Sequence, residues 1–259
     1  MFETLEITRE GKAATVWMNR PDRHNAFNAQ VIAELTQAFE QLGADSSVRV
    51  VILAGRGKSF SAGADLNWMK AAGEASFDDN LADARKLAGM LKTLAELPKP
   101  TIARVHGAAL GGGMGLASAC DICIASAAAT FATSEVKFGI IPSAISPYVL
   151  RAIGPRQASR YFLTAERIDA HKALEIGLVH EIVEPHDLDG AVHAQFEMLV
   201  DGGPKAQAEA KKLIRDIPGK CADDAIAEDT AQRIAKLRIG AEAREGLSAF
   251  LEKRSPHWS

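Results

Sequence analysis

Apolar positions along this chain follow two periods, and the change between them divides it. The first half is built from short runs that are alternating or continuously apolar. The last third repeats at helical spacing. Leu5–Arg9 and Ala13–Asn19, on either side of Glu10-Gly11-Lys12, predict two strands of a hairpin. Val31, Ile32, Leu35, Ala38, Phe39 and Leu42 recur three and four residues apart, which predicts a helix capped by Asn28. Val48–Ala54 is apolar but for Arg49, as befits a parallel strand covered on both faces. Ala75–Leu97 reads as helix and stops at Pro98 and Pro100. Thr101–Val105 and Cys120–Ala125 predict two further buried strands. Between them lie three glycines, 111–113, and a small-residue helix from Met114. Beyond Pro142 the helices Ser146–Ala152, Pro155–Thr164, Asp169–Leu174, Asp187–Val200, Pro204–Asp216, Ala222–Arg238 and Ala241–Lys253 are interrupted by one strand, Leu178–Val183.

Strand, helix, strand, glycine turn and helix thus occur twice, once ending near Gly63 and once near Gly112, which predicts an α/β core of stacked ββα units. Composition adds little beyond limits. The 259 residues are 47% hydrophobic and 24% charged, with a net charge of −3 that offers no field for nucleic acid or an anionic membrane. Apolar runs stay below 18 residues and the N-terminus is acidic, so a cytoplasmic protein is expected. Cys120 and Cys123 form a CxxC, but their apolar flanks predict inert buried thiols.

Several motifs fail on inspection. Gly57-Lys58-Ser59 follows a strand, but Ile52 stands where a phosphate-binding loop needs its first glycine. Leu116 breaks the dinucleotide pattern counted from Gly111, and Glu184 replaces the second histidine of a zinc-protease helix begun at His180-Glu181. His106, beside the glycine turn, is better explained by a hydrogen bond within that turn than by acid–base work. Two glycine turns and Glu135 remain. Bare backbone N–H groups at a helix start favour negative charge, and a nearby carboxylate supplies a proton acceptor.

At this point the residues resemble a family. Asn19-Arg20-Pro21 and Asn25-Ala26, Phe60-Ser61-Ala62-Gly63-Ala64-Asp65-Leu66, His106-Gly107-Ala108-Ala109-Leu110-Gly111-Gly112-Gly113, Cys120-Asp121-Ile122, then Glu135, Gly139-Ile140-Ile141-Pro142 and residues 246–254 follow the order of the crotonase (enoyl-CoA hydratase/isomerase) superfamily. The resemblance implies a spiral of ββα units over residues 1–200, with a helical C-terminal region, 201–259, that forms trimers or hexamers. It implies an acyl-CoA thioester substrate and no cofactor, CoA being part of the substrate. It implies further that the Ala64 and Gly112 N–H groups form an oxyanion hole and that Glu135 is the catalytic acid/base. CoA contacts map to Arg23, His24, Ala62, Asp65, Leu66, Phe250 and Lys253.

Hydratases of this kind carry a second glutamate where this chain has Gly115, and many are glycine-rich where it reads Ser143-Ala144-Ile145-Ser146-Pro147-Tyr148. In these respects, and in its C-terminal residues 250–258, the chain looks most like bacterial methylglutaconyl-CoA hydratases of leucine breakdown. Gly115 is then expected to leave room for a branched, dicarboxylic acyl group, with Ser143 and Lys137 positioning substrate or water. A double-bond isomerase using Glu135 alone, and a non-catalytic acyl-CoA-binding relative, are the alternatives.

Overall fold

A six-stranded sheet carries apolar side chains on both faces in the computed structural model, which describes residues 2–258. The hairpin β1 (Leu5–Glu10) and β2 (Ala13–Met18) is followed by α1 (Ala29–Ala44) and β3 (Val50–Gly55). Next come α2 (Leu66–Glu74), α3 (Phe77–Ala95), β4 (Thr101–Val105), β5 (Ala108–Leu110) and α4 (Gly112–Ala119). After β6 (Ile122–Ser126) and β7 (Thr130–Ala132) the chain forms α5 (Ser146–Thr164), β8 (Ile168–Asp169), α6 (Ala170–Glu175) and β9 (Glu181–Val183). Four helices close it: α7 (Leu188–Val200), α8 (Pro204–Asp216), α9 (Asp224–Arg238) and α10 (Ala241–Glu252).

The large sheet has the order β1-β2-β3-β4-β6-β9, parallel throughout except for the β1–β2 hairpin. One face packs on α1 and α3 through Leu35, Phe39, Leu91 and Leu94, and the other places Val50, Ile52, Ile102 and Ile124 under Leu188, Val192 and Phe196 of α7. That is why β3 is buried at every position. Asn28 caps α1 as expected, its side chain accepting the Val31 N–H at 2.9 Å.

Each turn of the chain also contributes a short extended piece to a second row. Phe27 bridges Ala64, Ser61 bridges Ala109, and β5 pairs with β7, which pairs with β8. This second row supplies the second strand of each ββα unit.

The glycine turn therefore follows β5, not β4 as the sequence suggested: after Val105 the chain reverses at His106-Gly107 and runs three more residues as strand. Cys120 caps α4 and lies outside β6. Glu135 opens a 3-10 turn, Glu135–Phe138, and is not at a strand end. The two helices predicted on either side of Gly154 are present within α5, which is broken at Gly154 by a non-helical backbone (φ 71°, ψ 163°) just ahead of Pro155.

Between the expected core and C-terminal region, Asp201-Gly202-Gly203 connects α7 to α8. Buried Lys211 of α8 ties that helix back to the sheet, donating to Asp121 Oδ2 at 2.7 Å and Lys99 O at 2.7 Å. No helix among the described residues is long and apolar enough to cross a membrane. Burial raises both CxxC thiols, Cys123 to about 12.

Candidate active site

Two backbone turns and one carboxyl group meet where the second row of extended segments reaches α4. The first turn is held by the loop at 20–26. Asn25 is buried in a left-handed conformation (φ 55°) and its carboxamide satisfies three backbone groups. It accepts the Arg20 N–H at 2.9 Å and donates to Arg56 O at 2.9 Å and Ser59 O at 2.8 Å. Arg20 in turn donates to Ala26 O and reaches Asp65 Oδ2 at 3.1 Å. Burial works against the Asp65 charge, but the Asn67 N–H and the Arg20 guanidinium hold its carboxyl below the usual range. Phe27 N–H donates to Gly63 O and Asp65 N–H to Phe27 O. Ala64 sits between these two anchored residues, and among the described residues its own N–H has no acceptor.

The second turn is Gly111-Gly112. Gly111 has φ 50° and ψ −118°, a conformation that costs a side chain dearly, and its N–H donates to Ala132 O at 2.8 Å. Gly112 opens α4, so its N–H lacks an intrahelical partner, and no other acceptor among the described residues takes it. The two turns are in contact: a Cβ built on Gly63 would lie 2.9 Å from Leu110 O and 3.8 Å from the Gly111 Cα.

Glu135 closes this group. A Cβ on Gly111 would sit 3.1 Å from Glu135 Oε1, while Oε2 is buried with no hydrogen-bond partner among the described residues. Burial raises its pKa, and its own backbone N–H offsets this only in part. A carboxyl group so placed gains and loses a proton easily, beside two free N–H donors suited to a developing oxyanion.

Of the other expected residues, His24 and Ala62 are joined directly, Ala62 N–H donating to His24 O at 2.9 Å, and His24 Nδ1 lies 3.1 Å from Ser59 Oγ. Arg23 is exposed next to them, and Leu66 is exposed at the first position of α2. The Asp65 carboxylate is taken up by Arg20 and the start of α2, so it braces the loop and does not present itself to a ligand. Lys137 and Ser143 are both exposed on the segment that follows Glu135. His106 makes its hydrogen bond outside its own turn, Nε2 donating to Gly57 O in the loop after β3 at 2.9 Å, and burial lowers its pKa.

Phe250 and Lys253 are not brought to this loop by any hydrogen bond or ion pair among the described residues. The first turn of α10 is fixed through Glu242 to Lys205 and Ala206 N–H. The segment after α10 is fixed through Trp258 O to Lys12 and Arg49, which precede β2 and β3, whereas Arg23 and His24 follow β2.

The expectation for Gly115 needs correction, and Gly112 is confined as well. The space beside Gly112 is taken by protein: a Cβ there would meet the Phe27 ring at 2.4 Å. Nor does Gly115 leave a vacancy for substrate, because a Cβ on it would meet Ile145 Cγ2 at 2.2 Å. Sequence reading also passed over Arg20, Asn25 and Ser61 as positioning residues. Ser61 Oγ donates to Asn25 O at 2.9 Å and lies 3.4 Å from the Gly63 N–H. An Asn just after Arg-Pro-Asp-Arg-His was the available signal, since Asn tolerates the left-handed region.

Comparison with known proteins agrees with this geometry. The family described as enoyl-CoA hydratase/isomerase matches residues 8–259. The crystal structure of an enoyl-CoA hydratase from Shewanella pealeana superposes with a TM-score of 0.97 at 44% identity, covering 99% of this chain and 96% of that one. An enoyl-CoA hydratase/isomerase from Marinobacter aquaeolei gives a TM-score of 0.92 at 34% identity, with 99% of each chain covered. The short-chain-enoyl-CoA hydratase of Clostridium acetobutylicum is 36% identical over 255 residues, 96% of this chain and 94% of that protein. With the spiral of ββα units, the contacting turns and the matched length all in agreement, the chain belongs to the enoyl-CoA hydratase/isomerase family of the crotonase superfamily.

Proposed function

We propose that this enzyme hydrates a branched, dicarboxylic enoyl-CoA, 3-methylglutaconyl-CoA, giving 3-hydroxy-3-methylglutaryl-CoA. The observation that carries the chemistry is the desolvated Glu135 carboxyl, whose Oε2 has no hydrogen-bond partner among the described residues, beside two backbone N–H groups that have no acceptor there. Water oxygen bonds to C3, the C2=C3 electrons move toward the thioester carbonyl, and the enolate oxygen is held by the Ala64 and Gly112 N–H groups. Glu135 then delivers a proton to C2, and the thioester is restored. One water proton stays on the new C3 hydroxyl and the other goes to the substrate's own distal carboxylate, which this site needs because no acid stands at 115; passage of that proton on to the ionised Glu135 restores both carboxyl groups to their starting states. Lys137 and Ser143 are the exposed groups available to hold that carboxylate. Only proton transfers are involved, so the thioester needs no cofactor beyond its own CoA, which Arg23, His24, Ala62 and Leu66 border in this reading.

The choice of acyl group rests on the resemblance at Gly115, at 143–148 and at the C-terminus. The packing of Ile145 on Gly115 favours a second reading, a Δ3,Δ2-enoyl-CoA isomerase in which Glu135 alone moves a proton between C4 and C2.

Incubation with crotonyl-CoA, 3-methylglutaconyl-CoA and a 3-enoyl-CoA, read by product mass and double-bond position, separates the readings. The expected result is one added water on 3-methylglutaconyl-CoA and poor hydration of crotonyl-CoA. Equal kcat on both would remove the substrate-assisted step. Conversion of the 3-enoyl-CoA at unchanged mass, with no hydration of either other ester, would establish the isomerase instead.

A further inference from the structure

Gly111 is the N-cap of α4 and Gly115 lies in its first turn, the Gly115 N–H donating to Gly111 O at 3.0 Å, so the two are one helical turn apart along the axis. Glu135 Oε1 packs on the first of them and the Ile145 side chain on the second. Ile145 is buried, and it begins α5 ten residues after Glu135. The carboxyl group and the isoleucine therefore pack against two glycines one turn apart, about 5.4 Å along the axis, at the start of α4.

A Cβ at 115 would come within 2.2 Å of Ile145 Cγ2 and 2.8 Å of its Cβ. The Cβ atom cannot rotate away, so the overlap persists in every side-chain rotamer of 145, and relief requires α4 and α5 to part.

We infer that Gly115 and Ile145 are a size-complementary pair, and that Ile145 is the specificity-determining residue which limits this site to one carboxylate. The Ile145 side chain fills the volume through which any side chain at 115 would project. It gives the space beside Glu135 an apolar wall where a second acid would otherwise hold water. Substrates are thereby restricted to those that need no second protein base, or that bring one.

This inference rests on Glu135 being the acid/base, so the test separates the two. Gly115→Glu, Ile145→Gly and the double variant are compared by Tm, by crotonyl-CoA hydration and by the pH profile of kcat/KM. Gly115→Glu alone is expected to lower Tm by several degrees through overpacking. In the double variant Tm should recover, because the isoleucine that the glutamate overlaps is gone. Crotonyl-CoA hydration should rise about 10²-fold over the parent, and the pH profile should acquire a second carboxylate ionisation.

A Gly115→Glu variant with parental Tm would overturn the pair. So would a double variant no more stable than Gly115→Glu, or one that recovers Tm without gain in hydration or change in pH profile. Failure of the Glu135 assignment reads differently. Glu135→Gln in the parent would then keep its turnover, while the Tm coupling of 115 and 145 would stand.

Discussion

Glu135 keeps one carboxylate oxygen buried without a hydrogen-bond partner among the described residues, and that single fact has consequences for rate, pH and stability. Ionisation is opposed by desolvation, so the pKa lies above the ordinary carboxylate value. Because Glu135 must hold the proton that it delivers to C2, its ionisation sets the alkaline limb of the pH–kcat/KM profile for hydration, and that limb lies above the usual carboxylate range. Glu135→Gln keeps the shape and removes the proton transfer, so kcat should fall at least ~10²-fold with CoA-ester binding retained. The stability effect has the opposite sign. A folded-state pKa raised above the unfolded value means stability is fully present at low pH and is lost as pH rises through the raised value. Glu135→Gln should therefore have a higher Tm than the parent at neutral pH, a difference that vanishes on acidification. Matching Tm curves for the two proteins across that window would show the carboxyl to be solvated, and would end its assignment as a poised acid.

Also at this scale, the sequence made Glu135 visible through its place in the family pattern, but could not show what surrounds the glycines. That Gly112 is confined by Phe27 and Gly115 by Ile145 depends on contacts between residues 85 and 30 positions apart, which no local pattern encodes. Pro at 112, an attractive way to delete the donor, would disrupt the Phe27 packing as well, and its effect on turnover would not isolate the oxyanion hole.

Among the elements, those with strong periodicity were legible nearly to the residue: the six apolar positions foreseen in α1 are the six that it buries. β5 was missed because three residues of Ala and Leu beside glycines carry no strand signature, and its pairing with β7 is supplied by the spiral. The loops that carry the site were legible only as motifs. Their physical logic lies in Asn25, which fastens the 20–26 loop to the 56–59 loop before Phe27 fixes the Ala64 turn. Asn25→Ala would strand the carbonyls of Arg56 and Ser59 without their donor and place Ala at φ 55°. A loss of about 3 kcal/mol in urea unfolding is expected, together with reduced kcat. Asn25→Asp should not restore either, since a carboxylate would face two carbonyl oxygens. An alanine variant within about 0.5 kcal/mol of the parent would show that these loops are held by other means.

In the molecule as a whole, no hydrogen bond or ion pair among the described residues joins Phe250 or Lys253, two of the expected CoA contacts, to the loop of Arg23 and His24. Leu247, Phe250 and Leu251 form an exposed stripe on α10, and Ile214, Ile234 and Ile239 are exposed on or beside α8 and α9. We propose that a second copy covers these surfaces, in the trimer that the family resemblance implies, and that each site takes Lys253 and Phe250 from its neighbour. Subunit mixing tests this directly. Glu135→Gln lacks the acid/base, and Lys253→Glu should have a raised KM for the CoA ester through charge repulsion; each alone is then weak at low substrate. If sites are shared in a closed ring, random hybrids contain some sites with Glu135 from one copy and Lys253 from the next. About a quarter of all sites should regain both, so the mixture's activity at low substrate would exceed the average of the two separate variants. If each chain completes its own site, no hybrid contains an intact one, and the mixture stays at that average. A parent protein that runs as a 27.6 kDa monomer in light scattering would remove the proposal before any mixing was done.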